Sequence, residues 1–225
     1  MRVTFAIVLV TAVAFIVQMA AGYAGFEKCM VAAAPCPLGE EIDLFTATLF
    51  MVPSEATSYA FWQFLTYMFM HADISHIAIN MFVLLVFGVP VEMALRKKNF
   101  IMLYILAGIG SAVFHLVVNP IVSPAGWNTA LLGASGAVFG VLAAYAFLYP
   151  KNIIWIFPGI PLPAVVAVIG IAGFELFSGL FGIESNIANF GHLGGLIVGI
   201  VFMAWWRKYG RKRRHVPEEY EWFWQ

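Results

Sequence analysis

Six apolar stretches, each long enough to cross a lipid bilayer, constrain the fold of this chain more than any other feature. A helix needs about 20 mostly apolar residues to span the hydrocarbon core, and a backbone inside that core must satisfy its own hydrogen bonds. Of the 225 residues, 62% are hydrophobic and 11% are charged, whereas a soluble domain is about half apolar and a quarter charged. The sequence therefore predicts an all-α polytopic membrane protein, a single membrane domain over residues 1–225 with six transmembrane helices. The stretches cover residues 4–21, 76–95, 100–118, 130–149, 161–182 and 187–206.

The first apolar stretch, residues 4–21, has two interpretations. It follows Arg2 and ends in small residues up to Gly22, as the cleavable signal of an exported protein does. Its length fits a spanning helix better than the short core of a signal peptide. Both interpretations place the long first loop, residues 22–75, on the outer side of the membrane.

Two parts of this first loop carry predictions of their own. Cys29 and Cys36 are either two free thiols or a disulfide formed in an oxidising compartment, and the outward side favours the disulfide. Residues 61–71 are too short and too aromatic for a clean span, which favours either a helix at the membrane interface or a loop that dips into the bilayer surface.

Basic residues fall almost entirely on one side of the predicted six-helix arrangement. Eleven of the twelve lysines and arginines lie at the N-terminus, in the turns after spans two and four, or in the tail 207–225; the exception is Lys28. Positive residues mark the cytoplasmic side of a membrane, so both termini are expected in the cytoplasm. A bacterial inner membrane is the expected location, with the basic tail against anionic lipid head groups.

Polar residues gather where the second, fourth and sixth spans enter the membrane from the outside. His76 and Asn80 open the second span, Ser135 opens the fourth and His192 opens the sixth. Polar side chains are costly in a bilayer and usually face the bundle interior or a water-filled cavity, so four at one depth indicate a site. Ser135 alone would more simply be a small residue for helix packing, and the clustering argues against that interpretation.

These residue types suit acyl transfer. Ser135 needs a base to take its proton, and a neutral His192 can serve. His76, the Asn80 amide and the backbone N–H of Ser135 could together hold the oxyanion.

Glycines stand where two of these helices would have to meet. Gly133 and Gly136 flank the serine and allow close backbone approach. Gly195 and Gly199 form a Gly-x-x-x-Gly face that would press the last span against the fourth. That packing would bring the histidine of the last span within reach of the serine.

Taken together, these motifs resemble those of the rhomboid family of intramembrane serine proteases. The resemblance covers about residues 60–206 and implies a six-transmembrane-helix rhomboid-like bundle with a long outward first loop. It also implies a catalytic dyad of Ser135 and His192 without an acidic third member, with His76 and Asn80 helping the oxyanion hole. The matching residues are Gly133-Ala134-Ser135-Gly136, His192 with Gly195 and Gly199, His76 and Asn80 with His71, and Gly88 with Glu92.

Two positions depart from the family pattern. Many members carry Trp-Arg in the first loop, where this chain has Trp62-Gln63, and many carry a tyrosine four residues after the serine, where it has Phe139. A phenylalanine can still stack under the histidine ring but cannot donate a hydrogen bond. Residues 181–186, before the last span, resemble the flexible cap of the family.

The remaining polar residues in or beside the spans are expected to have structural roles. Glu92 lies about 24 Å deeper than the first turn of its span, too far to touch the serine. Glu175 is a carboxylate inside a span, which by itself suggests a function, with His115 as a possible partner; a packing or lid role is the favoured expectation. No acidic partner for His192 is evident. His71 is expected to brace its loop.

The resemblance implies hydrolysis of peptide bonds in membrane-anchored substrates, with small side chains at the cleavage site. The expected partners are single-span transmembrane proteins and the lipid bilayer, not nucleic acid, and no cofactor or metal is expected. One alternative is a catalytically silent rhomboid-like protein that binds or escorts transmembrane clients, although such relatives usually lack the serine or the histidine. Another is a transporter, which would be expected to show an internal repeat or paired broken helices. The sequence also lacks His-Glu-x-x-His and a pair of membrane aspartates, on which other intramembrane proteases depend.

Overall fold

The computed structural model is mostly helical, as an all-α membrane protein should be. It describes residues 2–20, 49–58, 60–122, 129–156, 159–181 and 189–210. The helices are α1 (Val3–Ala20), α2 (Pro53–Ser58), α3 (Gln63–Thr66), α4 (Ile74–Val122), α5 (Ser135–Leu148), α6 (Ala164–Phe181) and α7 (Asn189–Trp205). Four of them, α1, α4, α6 and α7 with the turn that follows it, are long and apolar enough to cross a membrane.

The longest helix, α4, contains two of the predicted spans. It has 49 residues, and Arg96 adopts non-helical backbone angles inside it, with φ 67° and ψ 161°. A straight helix of this length would extend about 74 Å, more than twice the hydrocarbon thickness of a bilayer. The sequence predicts a short basic loop between the second and third spans. In the structure a single residue, Arg96, breaks the helix there.

Helix α5 is shorter than the predicted fourth span and is surrounded by other helices. Its 14 residues correspond to about 21 Å, and ten of them are buried. The chain reaches it through non-helical backbone, in which Leu131 and Met51 exchange two backbone hydrogen bonds of 2.8 and 3.0 Å. Such backbone is tolerated at membrane depth only where protein covers it, and Leu131, Leu132 and Ala134 are all buried.

A small β-hairpin replaces the start of the predicted fifth span. Strands β1 (Ile153–Ile156) and β2 (Ile160–Pro163) pair antiparallel, with Ile153 opposite Pro163. Proline cannot donate a hydrogen bond to a ladder and is tolerated at the edge of a sheet, so the prolines at 161 and 163 fit a two-stranded ribbon better than a helix. Helix α6 begins directly after β2, at Ala164.

Helix α1 is anchored to the bundle at both of its ends. Near its start, the backbone N–H groups of Val3 and Thr4 donate to the carboxylate of Glu92, each at 2.8 Å, and the Thr4 hydroxyl donates at 2.7 Å. Near its end, the Gln18 amide donates to the backbone carbonyl of His71 at 2.8 Å. These contacts fit the spanning-helix interpretation of the first apolar stretch and the structural role predicted for Glu92.

Candidate active site

The structure brings Ser135 and His192 together at the ends of two adjacent helices. Ser135 is the first residue of α5, and His192 lies in the first turn of α7. The ring Nε2 of His192 is 2.7 Å from the Oγ of Ser135, a hydrogen-bond distance. Phe139 stacks on the His192 ring, with centroids 4.5 Å apart and an interplanar angle of 7°. Phenylalanine at this position thus keeps the stacking that the sequence predicts.

The two helices approach closely because the residues between them are glycines. A β-carbon at Gly195 would collide with the backbone carbonyl of Gly136. One at Gly199 would lie 2.6 Å from the carbonyl oxygen of Gly140, well inside van der Waals contact. The predicted Gly-x-x-x-Gly contact between the last span and the serine helix is therefore confirmed.

His76 faces the same site from the first turn of α4. Gly133 has a positive φ of 103°, and a β-carbon there would lie 2.7 Å from Nε2 of His76, so glycine is required for both reasons. The Nδ1 atom of His76 accepts a hydrogen bond of 3.3 Å from the backbone N–H of Ala72. A neutral ring with this acceptor carries its proton on Nε2, which makes Nε2 a donor beside the serine.

Asn80 lies one helical turn beyond His76 on the same face of α4, as its spacing predicts. Its side chain is buried, and its Nδ2 donates to the backbone carbonyl of His76 at 3.0 Å. Among the described residues, the Asn80 amide makes this one hydrogen bond, and the amide does not contact Ser135. The second N–H of the amide remains available for a bound group.

His71 braces the loop that precedes the serine, as predicted. Its Nε2 accepts a hydrogen bond of 3.3 Å from the backbone N–H of Ala134, and its own backbone N–H donates to Gln18 at 3.1 Å. Burial, and secondarily the neighbouring His76, lowers the pKa of His71 from 6.5 to about 3. The ring is therefore neutral at physiological pH and keeps the lone pair that Ala134 needs.

The structure corrects the sequence interpretation of Glu175. Its Oε2 lies 3.0 Å from the Nδ1 of His192 and accepts a hydrogen bond of 2.9 Å from the Asn189 amide. The partner suggested by the sequence, His115, instead contacts the backbone: its Nε2 is 3.1 Å from the carbonyl oxygen of Thr129. An acidic neighbour of His192 was missed because α6 is apolar on nearly every side, so its pattern does not show which way Glu175 points. The one available signal was the presence of a lone carboxylate inside an apolar span.

Some predictions concern residues outside the described part of the chain. These are the pairing of Cys29 with Cys36, most of the first loop, the cap residues after Phe181 and the basic tail beyond Gly210. Within the described residues, no group of three or more His, Cys, Asp or Glu side chains could hold a metal ion.

The fold and the site define a class of protein: a helical membrane protein with a serine–histidine pair held between two glycine-faced helices. Residues 58–209 match the rhomboid domain, and the chain belongs to the rhomboid family.

Curated relatives agree with this assignment. RHOMBOID-like protein 12, mitochondrial, of Arabidopsis thaliana is 33% identical over 160 residues, which are 66% of this chain and 47% of that protein. Rhomboid protease GluP of Bacillus subtilis is 34% identical over 143 residues, 64% of this chain and 25% of that protein. Rhomboid protease AarA of Providencia stuartii is 29% identical over 154 residues, 61% of this chain and 53% of that protein. The chain thus matches about half of the length of these relatives, or less.

Proposed function

We propose that this protein is an intramembrane serine protease that hydrolyses peptide bonds of single-span transmembrane proteins. The observation that carries the proposal is the 2.7 Å contact between the Nε2 of His192 and the Oγ of Ser135. A hydroxyl becomes a useful nucleophile when a base is within hydrogen-bond reach of it. Membership of the rhomboid family and similarity to the rhomboid proteases GluP and AarA support the same activity.

In the proposed reaction, the Oγ of Ser135 attacks the carbonyl carbon of the substrate while the Nε2 of His192 takes the hydroxyl proton. The negative oxygen of the tetrahedral intermediate accepts hydrogen bonds from the Nε2–H of His76, the Asn80 amide and the backbone N–H of Ser135. His192 then gives its proton to the leaving amine, and an acyl-enzyme remains. Water, activated by the same histidine, attacks the acyl-enzyme and releases the second product.

The proposed arrangement in the membrane has six spans. The two segments of α4 on either side of Arg96 count as two of them, and α5 crosses the bundle inside the shell of the other helices. With both termini in the cytoplasm, the ends of the helices that carry His76, Ser135 and His192 face outward, where water can enter. The named relatives are mitochondrial and bacterial, so a bacterial inner membrane stays a prediction.

Cleavage by the purified protein tests the proposal. The wild-type chain, reconstituted in liposomes with a single-span substrate, should cleave it, and a fluorophosphonate probe should label Ser135. Ser135→Ala and His192→Ala should lower kcat/KM by on the order of 10⁴-fold or more, with Ser178→Ala as a control. Among the residues that the structure describes, the buried Ser178 hydroxyl of α6 has no hydrogen-bond partner, so its removal should leave the rate unchanged.

Two outcomes would overturn the proposal. Cleavage that survives Ser135→Ala at the wild-type rate would show that the nucleophile is misassigned. A folded wild-type protein that binds transmembrane clients, but neither cleaves them nor reacts with the probe, would be the catalytically silent alternative.

A further inference from the structure

We infer that Glu175 positions His192 and stabilises its protonated form during catalysis, so that the site works as a serine–histidine–glutamate relay. This inference rests on the proposed protease function and adds a residue to it. It departs from the dyad that the family resemblance implies, which contains no acidic member. Glu175 contacts neither the serine nor the site of bond cleavage and acts through the histidine.

The first argument is the geometry of the histidine ring. Its two nitrogens contact different groups: Nε2 is 2.7 Å from the Oγ of Ser135, and Nδ1 is 3.0 Å from the Oε2 of Glu175. A base that takes a proton on Nε2 must carry its own proton on Nδ1. A carboxylate beside Nδ1 favours that tautomer over the inactive one, because it attracts the N–H and repels a lone pair.

The carboxylate itself is held in place by the helix that carries the histidine. Asn189 is the first residue of α7, and its amide donates to the Oε2 of Glu175 at 2.9 Å. Asn189 lies three residues before His192, so both side chains share one face of the helix. The partial positive charge at a helix N-terminus also favours an anion there. Three groups of α7 therefore converge on the carboxylate of α6.

A purely structural explanation does not account for a glutamate at this position. A charged side chain inside a membrane is costly and is retained where it pairs or functions. Its neighbours on α6, Phe174, Leu176 and Phe177, are all about half exposed on the outside of the bundle, whereas Glu175 is 9% exposed. An apolar residue would fill the same space without the cost of a buried charge. An apolar residue cannot accept a hydrogen bond from the Nδ1–H of His192.

The proposed step moves one proton, from Ser135 to His192, and Glu175 stays ionised throughout. When Ser135 attacks, its proton moves to the Nε2 of His192, and the ring becomes positively charged while it keeps the Nδ1 proton. The carboxylate lies next to that new charge and lowers the free energy of the ion pair without taking the proton. Within the described part of the chain, Nδ1 makes no well-aligned hydrogen bond; such contacts often tighten only when substrate is bound.

The titratable groups around His192 come from three helices. Glu175 on α6 is the acidic one, while His76 on the first segment of α4 and His115 on the second segment are imidazoles, which carry no negative charge. Of these three groups, only Glu175 can favour the protonated form of His192. Neutralising Glu175 should make His192 harder to protonate.

The test compares Glu175→Gln with Glu175→Asp and Ser178→Ala in liposomes. Glutamine is isosteric and can still accept a hydrogen bond from Asn189, so folding should be kept. We expect kcat/KM to fall about tenfold or more with little change in KM, less than the ~10⁴-fold loss found when the acid of a fully aligned triad is neutralised. The acid limb of the pH–rate profile should move to lower pH, since protonated His192 loses its negative neighbour. Aspartate should restore the acid limb and part of the rate, and Ser178→Ala, one turn along the same helix, should behave as the wild type.

A glutamine variant with the wild-type acid limb, or with a rate that falls only in proportion to the folded fraction, would overturn the inference. The proposed protease function would survive that result, because Ser135→Ala would still be inactive and the probe would still label the wild type. Should the glutamine variant not fold, ¹⁵N NMR of histidines in the wild-type protein decides instead. The inference requires the Nδ1–H tautomer of neutral His192, and the Nε2–H tautomer would contradict it.

Discussion

Two glutamates are buried among the helices at opposite ends of the bundle, and their surroundings differ. Helix α1 connects the two ends: its first residues bond to Glu92, and Gln18 near its last turn bonds to the loop of His71, which in turn holds the residue before Ser135. Glu92 is 4% exposed and Glu175 is 9% exposed. Both side chains therefore carry the cost of a charge removed from water.

The partners of the two carboxylates are of different kinds. Glu92 accepts hydrogen bonds from two backbone N–H groups and one hydroxyl of α1, none of which gains or loses a proton at physiological pH. These N–H groups belong to the first turn of α1, which has no helical acceptors for them. Glu175 instead faces the imidazole ring of His192, a group that can take up and release a proton during catalysis. The position of a buried carboxylate inside a membrane protein is thus a weak guide to its role, and the chemistry of its partners is a better one.

The largest loss of activity is expected from a change at the contact between α5 and α7, at the end of the bundle that holds Ser135 and His192. A β-carbon in Gly195→Ala would collide with the Gly136 carbonyl and push the two helices apart, moving His192 away from Ser135. A displacement of about 1 Å at a reacting pair can cost roughly 10² in rate, so kcat/KM should fall by at least that factor.

The matched control is Gly173→Ala in α6, because no atom of the described residues outside its own helix lies within 4 Å of a β-carbon at that position. This variant should keep the wild-type rate and melting temperature in detergent. A Gly195→Ala variant with wild-type kinetics would show that the glycine contact does not set the distance between the serine and the histidine.

A smaller effect is expected for one of two asparagines on α4 that make the same helical hydrogen bond. Asn80 lies beside the proposed site, and Asn99 lies in the segment after Arg96. The Nδ2 atoms of Asn80 and Asn99 each donate to the backbone carbonyl four residues earlier, both at 3.0 Å. Asn80→Ala should lower kcat roughly 10²-fold by removing one oxyanion donor, whereas Asn99→Ala should leave kcat unchanged.

Rates of both variants are to be measured on the same single-span substrate, with circular dichroism to check folding. Equal losses in the two variants would assign the effect of Asn80 to its helical hydrogen bond and would remove it from the oxyanion hole. A complete loss in Asn80→Ala with normal probe labelling would point to substrate binding instead.

The sequence predicts the pairing of Ser135 with His192 because several independent signals agree. Apolar stretches and basic turns give the depth of each residue, and the glycines of α7 indicate which helix it packs against. By contrast, the break of α4 at one residue and the hairpin before α6 depend on local backbone geometry, for which the hydropathy pattern carries no information. The contact of Glu175 with His192 depends on the rotation of α6 about its own axis. A helix that is apolar on all sides has no preferred face in its sequence, so only tertiary packing reveals that contact.

The smallest effect on activity is expected for Glu92, where the change should act on stability alone. Glu92→Gln removes the charge and places an NH₂ group near the donors of Val3 and Thr4. The free energy of unfolding in detergent should fall by about 2 kcal/mol, the range of a lost hydrogen bond to a charged group. Thr4→Val, which removes only the hydroxyl donor, should cost about 1 kcal/mol.

The kinetics of these variants complete the contrast with Glu175. Below the unfolding transition, Glu92→Gln should show the wild-type kcat/KM and the wild-type acid limb, because the groups of α1 that donate to this carboxylate do not titrate near neutral pH and α1 supplies no atom to the proposed site. The measurement is the pH–rate profile of protein purified in the folded state. A shift of the acid limb in Glu92→Gln would mean that buried charge anywhere in the bundle tunes His192, and the shift expected in Glu175→Gln would then not depend on contact. A lowered stability with an unchanged profile would show that the two carboxylates differ in function because their partners differ.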